Sequence, residues 1–102
     1  HVGLDDKKIP EAQDFVKKYE ARFGELGLYS GLAFDSTNIL IEAIRKTGSR
    51  DRRKVLQAVR EIKDFKGISG KIAFDEKGDN KYRSISVYQV RSGKLEFIET
   101  IQ

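Results

Sequence analysis

Residues 65–81, FKGISGKIAFDEKGDNK, have the residue types and spacing in this chain that come closest to a binding loop. Two glycines bracket a short polar step, and an acidic stretch with a further glycine follows. An EF-hand calcium loop starting at Asp75 would need an oxygen ligand, a glycine and a glutamate where the chain has Lys77, Asn80 and Ser86. The calcium interpretation therefore fails at three positions.

The same stretch also fails as a phosphate-binding loop. Its GISGK lacks the glycine spacing of that motif and the lysine that is followed by serine or threonine. Gly78 stands among charged residues, which is typical of a turn at the end of a strand, with Asp75 and Asp79 bonding to the local backbone. Spacing therefore indicates the turns of a sheet and no ion site.

Catalytic and metal-binding side chains are scarce. His1 is the only histidine and cysteine is absent, which excludes catalytic triads with histidine, two-histidine metal sites, thiolate metal sites and disulfides. Asp35 and Glu42 lie two turns apart on one helix face, too far apart for a tight carboxylate pair. We expect them to form a solvated or lightly paired strip, and we predict no catalytic residue, metal ligand or cofactor.

The basic excess raises the question of nucleic-acid binding. Lysine and arginine number 20 against 16 acidic residues, and the densest basic run is RKTGSRDRRK, residues 45–54. Arg45 and Lys46 suit the negative end of a helix, and no aromatic residue is interleaved to stack on bases. We therefore predict no nucleic-acid partner. The open alternative, a basic adaptor, requires salt-sensitive binding that weakens when Arg52 and Arg53 become alanine.

Three amphipathic or apolar segments, 9–24, 29–48 and 49–62, are predicted to be helices. The first has Pro10 in its opening turn and a single apolar stripe made of Ala12, Phe15, Val16, Tyr19 and Phe23. The second is apolar around most of its circumference, which indicates burial on most sides or cover that the chain lacks. The third begins at a cap, either Ser49 or Asp51.

After the third helix the periodicity changes from 3.6 to 2. One predicted strand contains Ile68, Ile72 and Phe74 on one face and ends at Asp75, and two more lie at 84–90 and 94–101, with a turn at Gly93 between the last two. The strand at 84–90 has apolar residues on both faces. For the isolated chain the predicted class is α+β, with three helices followed by an antiparallel sheet of about three strands in one small domain.

The order of these segments resembles a known family. FKGISGKIAFDEKGD followed by SISVYQVRSGKLEFI, with FVKKYEARFG and LAFDSTNILIEAIRKTGSRDRRKVLQAV upstream, is similar to the C-terminal region of the periplasmic branched-chain amino-acid-binding proteins of ABC importers. These are type 1 binding proteins of the leucine/isoleucine/valine-binding class. The resemblance covers nearly all of the chain and implies that residues 1–102 are the C-terminal segment of a longer, two-lobed α/β protein.

The resemblance also implies where the segments lie and what they contact. Residues 9–80 would belong to the N-terminal lobe and residues 84–99 would return to the other lobe. Phe34 aligns with an aromatic residue that packs on the ligand side chain, Tyr29 and Asp35 are weaker candidates nearby, and core packing is the alternative role of Phe34. The implied protein is no enzyme. It binds an amino acid, serves an ABC permease, and is periplasmic or extracytoplasmic.

Two further expectations concern the isolated chain. Since it begins with His1 rather than methionine, we expect a processed or trimmed chain. Apolar faces without cover favour a homodimer, formed through strand or helix exchange. The alternative to a transport fragment is a standalone α+β interaction or regulatory module with no transport role, which would have a start codon near His1.

Overall fold

The computed structural model describes residues 5–101 and places three α-helices before four short strands. The helices are α1 (Gln13–Phe23), α2 (Ser30–Thr47) and α3 (Arg52–Arg60), and the 3-10 turns Asp6–Lys8 and Pro10–Ala12 precede α1. The strands are β1 (Phe65–Gly67), β2 (Gly70–Ile72), β3 (Ile85–Arg91) and β4 (Lys94–Ile101). This order confirms the predicted α+β class, with four strands where about three were expected.

The four strands form two separate antiparallel pairs. β1 and β2 make a short hairpin in which Gly67 lies opposite Gly70, and β3 and β4 make a longer one. The prediction of one continuous strand over residues 68–74 is wrong, because the chain reverses direction at Ile68 and Ser69. The physical reason is a contact with α2, described below, that no local pattern shows.

The junction between α2 and α3 follows from the local sequence. Gly48 ends α2 in the left-handed conformation, with φ 60°, which glycine adopts without strain. Asp51 caps α3, since its side chain accepts hydrogen bonds from the backbone N–H groups of Arg53 at 3.0 Å and Lys54 at 3.2 Å. The basic run 45–54 is therefore a helix end and a helix start, and most of it is exposed.

A small core joins α2, α3 and the first hairpin. Ile39 of α2, Ile62 after α3 and Ile72 of β2 are buried together, and three partly buried residues pack on them, namely Val59, Phe65 and Phe74. The buried residues of α2 lie at four-residue steps and form one stripe, namely Gly31, Asp35, Ile39 and Ala43. Of the two predictions for α2, the structure supports the second, in which much of its apolar surface lacks cover.

Apolar residues on several elements are exposed. Leu40 of α2 is 51% exposed, and Val90 of β3 is 68% exposed. The radius of gyration is 15.4 Å, against about 13 Å for a compact domain of this length. The accessible surface is 7947 Å², whereas a folded monomer of this mass exposes roughly 5,800 Å². The chain therefore leaves about 2,000 Å² more surface uncovered than a compact monomer does.

The turn after β2 is organised by the carboxylate of Asp75. Its Oδ1 accepts hydrogen bonds from the N–H groups of Lys77 and Asp79, both at 2.9 Å, and Nη2 of Arg83 lies 3.5 Å from Oδ2. Gly78 donates its N–H to the carbonyl of Asp75 at 3.0 Å. The prediction that this stretch forms a turn is confirmed.

These contacts make the stability of the fold depend on pH. The hydrogen bond from Asp79 is the largest cause that lowers the pKa of Asp75, the bond from Lys77 and the charge of Arg83 add to it, and partial desolvation opposes it. A carboxyl whose pKa is lower in the folded chain stabilises the fold above its unfolded pKa, near 4. That contribution is lost as pH falls through the lowered value.

We therefore expect the free energy of unfolding to fall as pH drops below about 4. The Asp75→Asn variant should lose less stability over the same interval. Urea unfolding at a series of pH values measures both slopes, and Asp14→Asn serves as the control because Asp14 forms only an exposed ion pair with Lys18. Equal slopes for wild type and the Asp75 variant would contradict this assignment.

Candidate functional site

An open groove of about 700 Å³ runs between α1 and α2 and reaches the turn of the first hairpin. Most of its lining surface is apolar, and charged residues of α1, among them Lys18 and Arg22, lie beside it. The apolar lining residues are Phe15, Tyr19, Phe23, Ala33, Phe34 and Ile68. A concave, largely apolar surface with a few polar groups is the usual form of a small-molecule site.

Aromatic rings form a row along this groove. The ring centroid of Phe15 lies 4.6 Å from that of Phe34 and 5.7 Å from that of Tyr19, and Tyr19 lies 5.1 Å from Phe23. Phe15, Tyr19 and Phe23 recur at four-residue steps, which places them on one face of α1. The sequence pattern predicted this apolar stripe but did not predict that it lines a groove. The available signal was three aromatic rings at helical spacing, in a helix whose Phe23 is 69% exposed.

Of the three predicted site residues, Phe34 lines the groove, and Tyr29 and Asp35 do not. Phe34 contacts Phe15 yet is 43% exposed, so it is only partly packed and its remaining surface faces solvent. Ile68 joins it in the lining, although no sequence pattern singled out Ile68 as a site residue. Tyr29, which precedes α2, is exposed and is not among the lining residues.

Asp35 lies on the buried side of α2, next to the hairpin turn. The residue is 2% exposed, and its Oδ1 accepts a hydrogen bond from the N–H of Ile68 at 2.9 Å. Its Oδ2 accepts hydrogen bonds from the N–H of Ser69 at 2.8 Å and from the Ser69 hydroxyl. The expectation of a solvated strip is wrong for Asp35, because its partners lie 33 and 34 residues away in sequence. Whether Asp35 contacts a ligand stays a prediction.

Glu42, the other carboxylate of that strip, matches the expectation of a light ion pair. Its Oε2 lies 3.6 Å from Nη1 of Arg45, one turn further along α2, and the Arg45 side chain is largely exposed. Exposed pairs at this spacing contribute a few tenths of a kcal/mol, roughly 0.2–0.5. The strip therefore contains two carboxylates in different surroundings, one buried and fully bonded and one near solvent.

The GISG stretch binds an anion that the chain itself supplies. Successive backbone N–H groups that converge on one point form a concave site for negative charge, and here the N–H groups of Ile68 and Ser69 converge on the carboxylate of Asp35. Gly67 makes the close approach possible, because a Cβ at that position would lie 2.3 Å from Oδ2 of Asp35. The two glycines are thus turn residues, as predicted, in a turn built around an internal carboxylate.

A second hollow, of about 460 Å³, lies between the end of α2 and α3 and is lined by polar and charged residues such as Arg53, Gln57 and Glu61. It contains no aromatic residue. Within residues 5–101, no group of three or more acidic or histidine side chains is placed to hold a metal ion. The helices in this part of the chain are too short or too polar to cross a membrane.

Comparison with known proteins gives matches that extend over most of the chain. Residues 4–94 match the periplasmic binding protein family. The Leu/Ile/Val-binding protein homolog 1 of Brucella suis is 30% identical over 91 residues, which are 89% of this chain and 24% of that protein. The leucine-, isoleucine-, valine-, threonine- and alanine-binding protein of Pseudomonas aeruginosa is 33% identical over 63 residues, which are 62% of this chain and 17% of that protein.

A solved structure shows the same likeness in three dimensions. The leucine binding protein LivK of Thermotoga maritima superposes with a TM-score of 0.84 and 33% identity, over 97% of this chain and 29% of that one. The chain spans about a quarter of the length of the curated relatives it matches. Since the family match and the structural match cover nearly the same residues, the chain belongs to the periplasmic binding protein family.

Proposed function

We propose that this chain forms part of an extracytoplasmic solute-binding protein that captures a branched-chain or similar amino acid for import by an ABC permease. The observation that carries the proposal is Phe34, partly exposed at the apolar groove between α1 and α2. The relatives named for binding leucine, isoleucine and valine support this ligand class. They are solute-binding proteins, which supports a binding role without catalysis and gives no support to a standalone regulatory module.

The lining of the groove suits an aliphatic side chain. Phe34 and Ile68 offer apolar surface, and burying such surface contributes about 25 cal/mol per Å². The ammonium and carboxylate of an amino acid need charged or hydrogen-bonding partners as well, because burying either group without partners is costly. The groove is open to solvent on one side, whereas small-molecule sites enclose about 70–90% of the ligand surface. The remaining wall therefore comes from the rest of the protein, whereas Lys18 and Arg22 already place positive charge at the groove.

The division of the chain between two lobes is part of the same proposal. Residues 9–80 form part of one lobe, which holds the groove, and residues 84–99 return to the other lobe. This assignment is supported by the strand pairing, since β3 and β4 bond to each other in a sheet separate from β1 and β2. A cation–π contact between Lys8 and Phe97, at 5.7 Å, links the second hairpin to the N-terminal part of the chain.

Calorimetric titration with leucine, isoleucine and valine tests the proposal. The samples are the natural gene product that contains this chain and, for comparison, the 102-residue chain alone. We expect saturable binding of at least one of these amino acids to the gene product. We expect no binding to the chain alone at micromolar concentrations, because an open groove lacks one wall. Micromolar binding by the chain alone would contradict the incomplete site, and a gene product that binds none of the three would contradict the ligand class.

We further propose that the isolated chain forms a homodimer. Its surface exceeds that of a compact monomer by about 2,000 Å², and a standard interface buries only about 800 Å² on each partner. The apolar patch that consists of Leu40, Ile41 and Ile44 on α2 is between 42% and 51% exposed. A second copy can cover it by direct contact or by exchange of a helix or hairpin.

Light scattering on the chain should therefore give twice the mass of one copy. Because a charge buried in an apolar contact is costly, Ile41→Glu and Ile44→Glu together should shift the chain to monomers. Lys17→Glu is the matched control, since it alters charge on the exposed face of α1. A monomeric wild-type chain at high concentration would rule the dimer out.

A further inference from the structure

We infer that Asp35 is a positioning residue for the ligand groove, and that Ile68, which it holds in place, is a specificity-determining residue of that groove. The inference rests on the proposed function, because a fixed wall matters for recognition only if the groove holds a ligand. It differs from a direct ligand contact by Asp35, since the carboxylate acts here only through the residues it bonds.

The geometry links both sides of the groove through one residue. Phe34 and Asp35 are neighbours on α2, and Phe34 lines the groove while Asp35 is buried against the hairpin turn. Both carboxylate oxygens are engaged, one by the N–H of Ile68 and the other by Ser69. Ile68 is itself a lining residue. The Phe34 side of the groove is therefore connected to the Ile68 side through Asp35, which follows Phe34 in the chain and accepts a hydrogen bond from the N–H of Ile68.

The core holds the base of the hairpin, where Phe65 pairs with Ile72, and the turn at Ile68 and Ser69 lies beyond that pair. β1 and β2 have three residues each, and a two-stranded hairpin of that size is marginal on its own. Favoured two-residue hairpin turns require positive φ at the centre. Neither central residue of this turn, Ile68 or Ser69, has a positive φ. Among the described non-glycine residues, only Asp64 and Ser92 do. Gly70, with φ 118°, provides positive φ only after the two central residues, and the carboxylate of Asp35 adds the hydrogen bonds that restrain those two.

Ile68 follows as the residue through which this restraint affects ligand choice. Ile68 belongs to the hairpin and lines the groove together with the aromatic residues that α1 and α2 contribute. A difference of one methylene in an apolar pocket changes relative affinity about 10–200-fold when the wall is rigid. A wall that moves adapts to either ligand, so discrimination between leucine and valine depends on a fixed Ile68.

The restraint can be measured in the chain without any ligand. Hydrogen exchange followed by NMR reports on the N–H groups of Ile68 and Ser69. The chain contains no tryptophan, so a Phe34→Trp background places one fluorophore in the groove. Asp35→Asn should accelerate exchange of these two amides at least tenfold relative to the amides of α2 and should shift the tryptophan emission. If Asp35→Asn fails to fold, Ser69→Ala replaces it in the test. This variant removes only the hydroxyl partner, and it should accelerate exchange by a smaller factor.

Two further variants separate position from charge. Asp35→Glu keeps the charge on a longer side chain, and it should not restore protection because Gly67 leaves no room for another methylene. Glu42→Gln is the control, a change of the other carboxylate on the same helix, and it should leave both amides unchanged. Wild-type protection of both amides in Asp35→Asn would overturn the positioning role, whereas wild-type protection in Asp35→Glu would contradict only the tight fit against Gly67.

Ligand titration of the gene product completes the test. Ile68→Ala should change the ratio of leucine to valine affinity about tenfold, and Ser69→Ala should weaken both affinities by a smaller factor. If the gene product binds leucine and neither substitution changes affinity or ratio, the inference is overturned and the proposed function stands. If the gene product binds no amino acid, the proposed function fails, and the amide exchange still decides whether Asp35 holds the turn.

Discussion

Replacing Gly67 with alanine is expected to lower the free energy of unfolding by roughly 2–4 kcal/mol. The added Cβ would lie 2.3 Å from Oδ2, 2.6 Å from Cγ and 2.9 Å from Oδ1 of Asp35. Asp35 cannot move aside freely, because both of its oxygens are bonded to the two residues that follow Gly67. Relief requires loss of these hydrogen bonds or separation of the hairpin from α2, and a buried carboxylate without partners is strongly destabilising.

Urea unfolding followed by circular dichroism measures this cost. Gly27→Ala is the matched control, because its new Cβ would meet only the Ser30 hydroxyl at 3.3 Å, and rotation of that side chain would lose a single exposed hydrogen bond, from the Gly27 N–H. Lys66→Ala controls for any change in β1, since Lys66 is exposed beside Gly67. A Gly67 variant as stable as the Gly27 variant would show that the contact between Asp35 and the turn is looser than described.

Replacing Phe34 with alanine in the gene product is expected to weaken amino-acid binding about 3- to 10-fold. Full burial of an aromatic side chain contributes about 1.5–3 kcal/mol, and Phe34 is 43% exposed and available to be buried by a ligand. Phe34→Tyr keeps the ring and should retain most of the affinity. The same Phe34→Ala change should cost less stability than a core substitution, because the residue is only partly packed.

Calorimetry on the gene product measures the affinities. Leu56→Ala is the control, since Leu56 is a similarly exposed apolar residue on α3, away from the groove. Tyr29→Ala tests the weaker candidate, and we expect a smaller loss than for Phe34 because Tyr29 is not part of the groove lining. Equal affinities for the Phe34 and Leu56 variants would mean that the ligand does not use this wall.

The helices were predictable from sequence because local rules determine them. The predicted range 29–48 became α2, Ser30–Thr47, and Gly48 ends it as expected. At α3, Asp51 rather than Ser49 provides the cap, and the choice between these two neighbours depends on backbone geometry. The resemblance to periplasmic binding proteins, which rested on the order of several weak motifs, is confirmed by the family and structure comparisons.

The hairpin and the groove were not predictable in the same way. Periodicity shows which residues share a face, and it does not show what covers that face, so the apolar stripe with Phe15, Tyr19 and Phe23 was predictable and its position along a groove was not. The reversal at Ile68 depends on a carboxylate 33 residues earlier in the chain, whereas a turn prediction uses only neighbouring residues. The separation of the two hairpins likewise depends on long-range packing.

The location of bound leucine in the gene product decides whether the groove between α1 and α2 is part of a ligand site. Nuclear Overhauser contacts between the methyl groups of leucine and the aromatic ring of Phe34 report on it, with selectively labelled phenylalanine as the probe. We predict contacts to Phe34 and to the methyl groups of Ile68, and none to the hollow beside Gln57 on α3. Bound leucine with contacts elsewhere and none to Phe34 would contradict the assignment of this groove as the ligand wall.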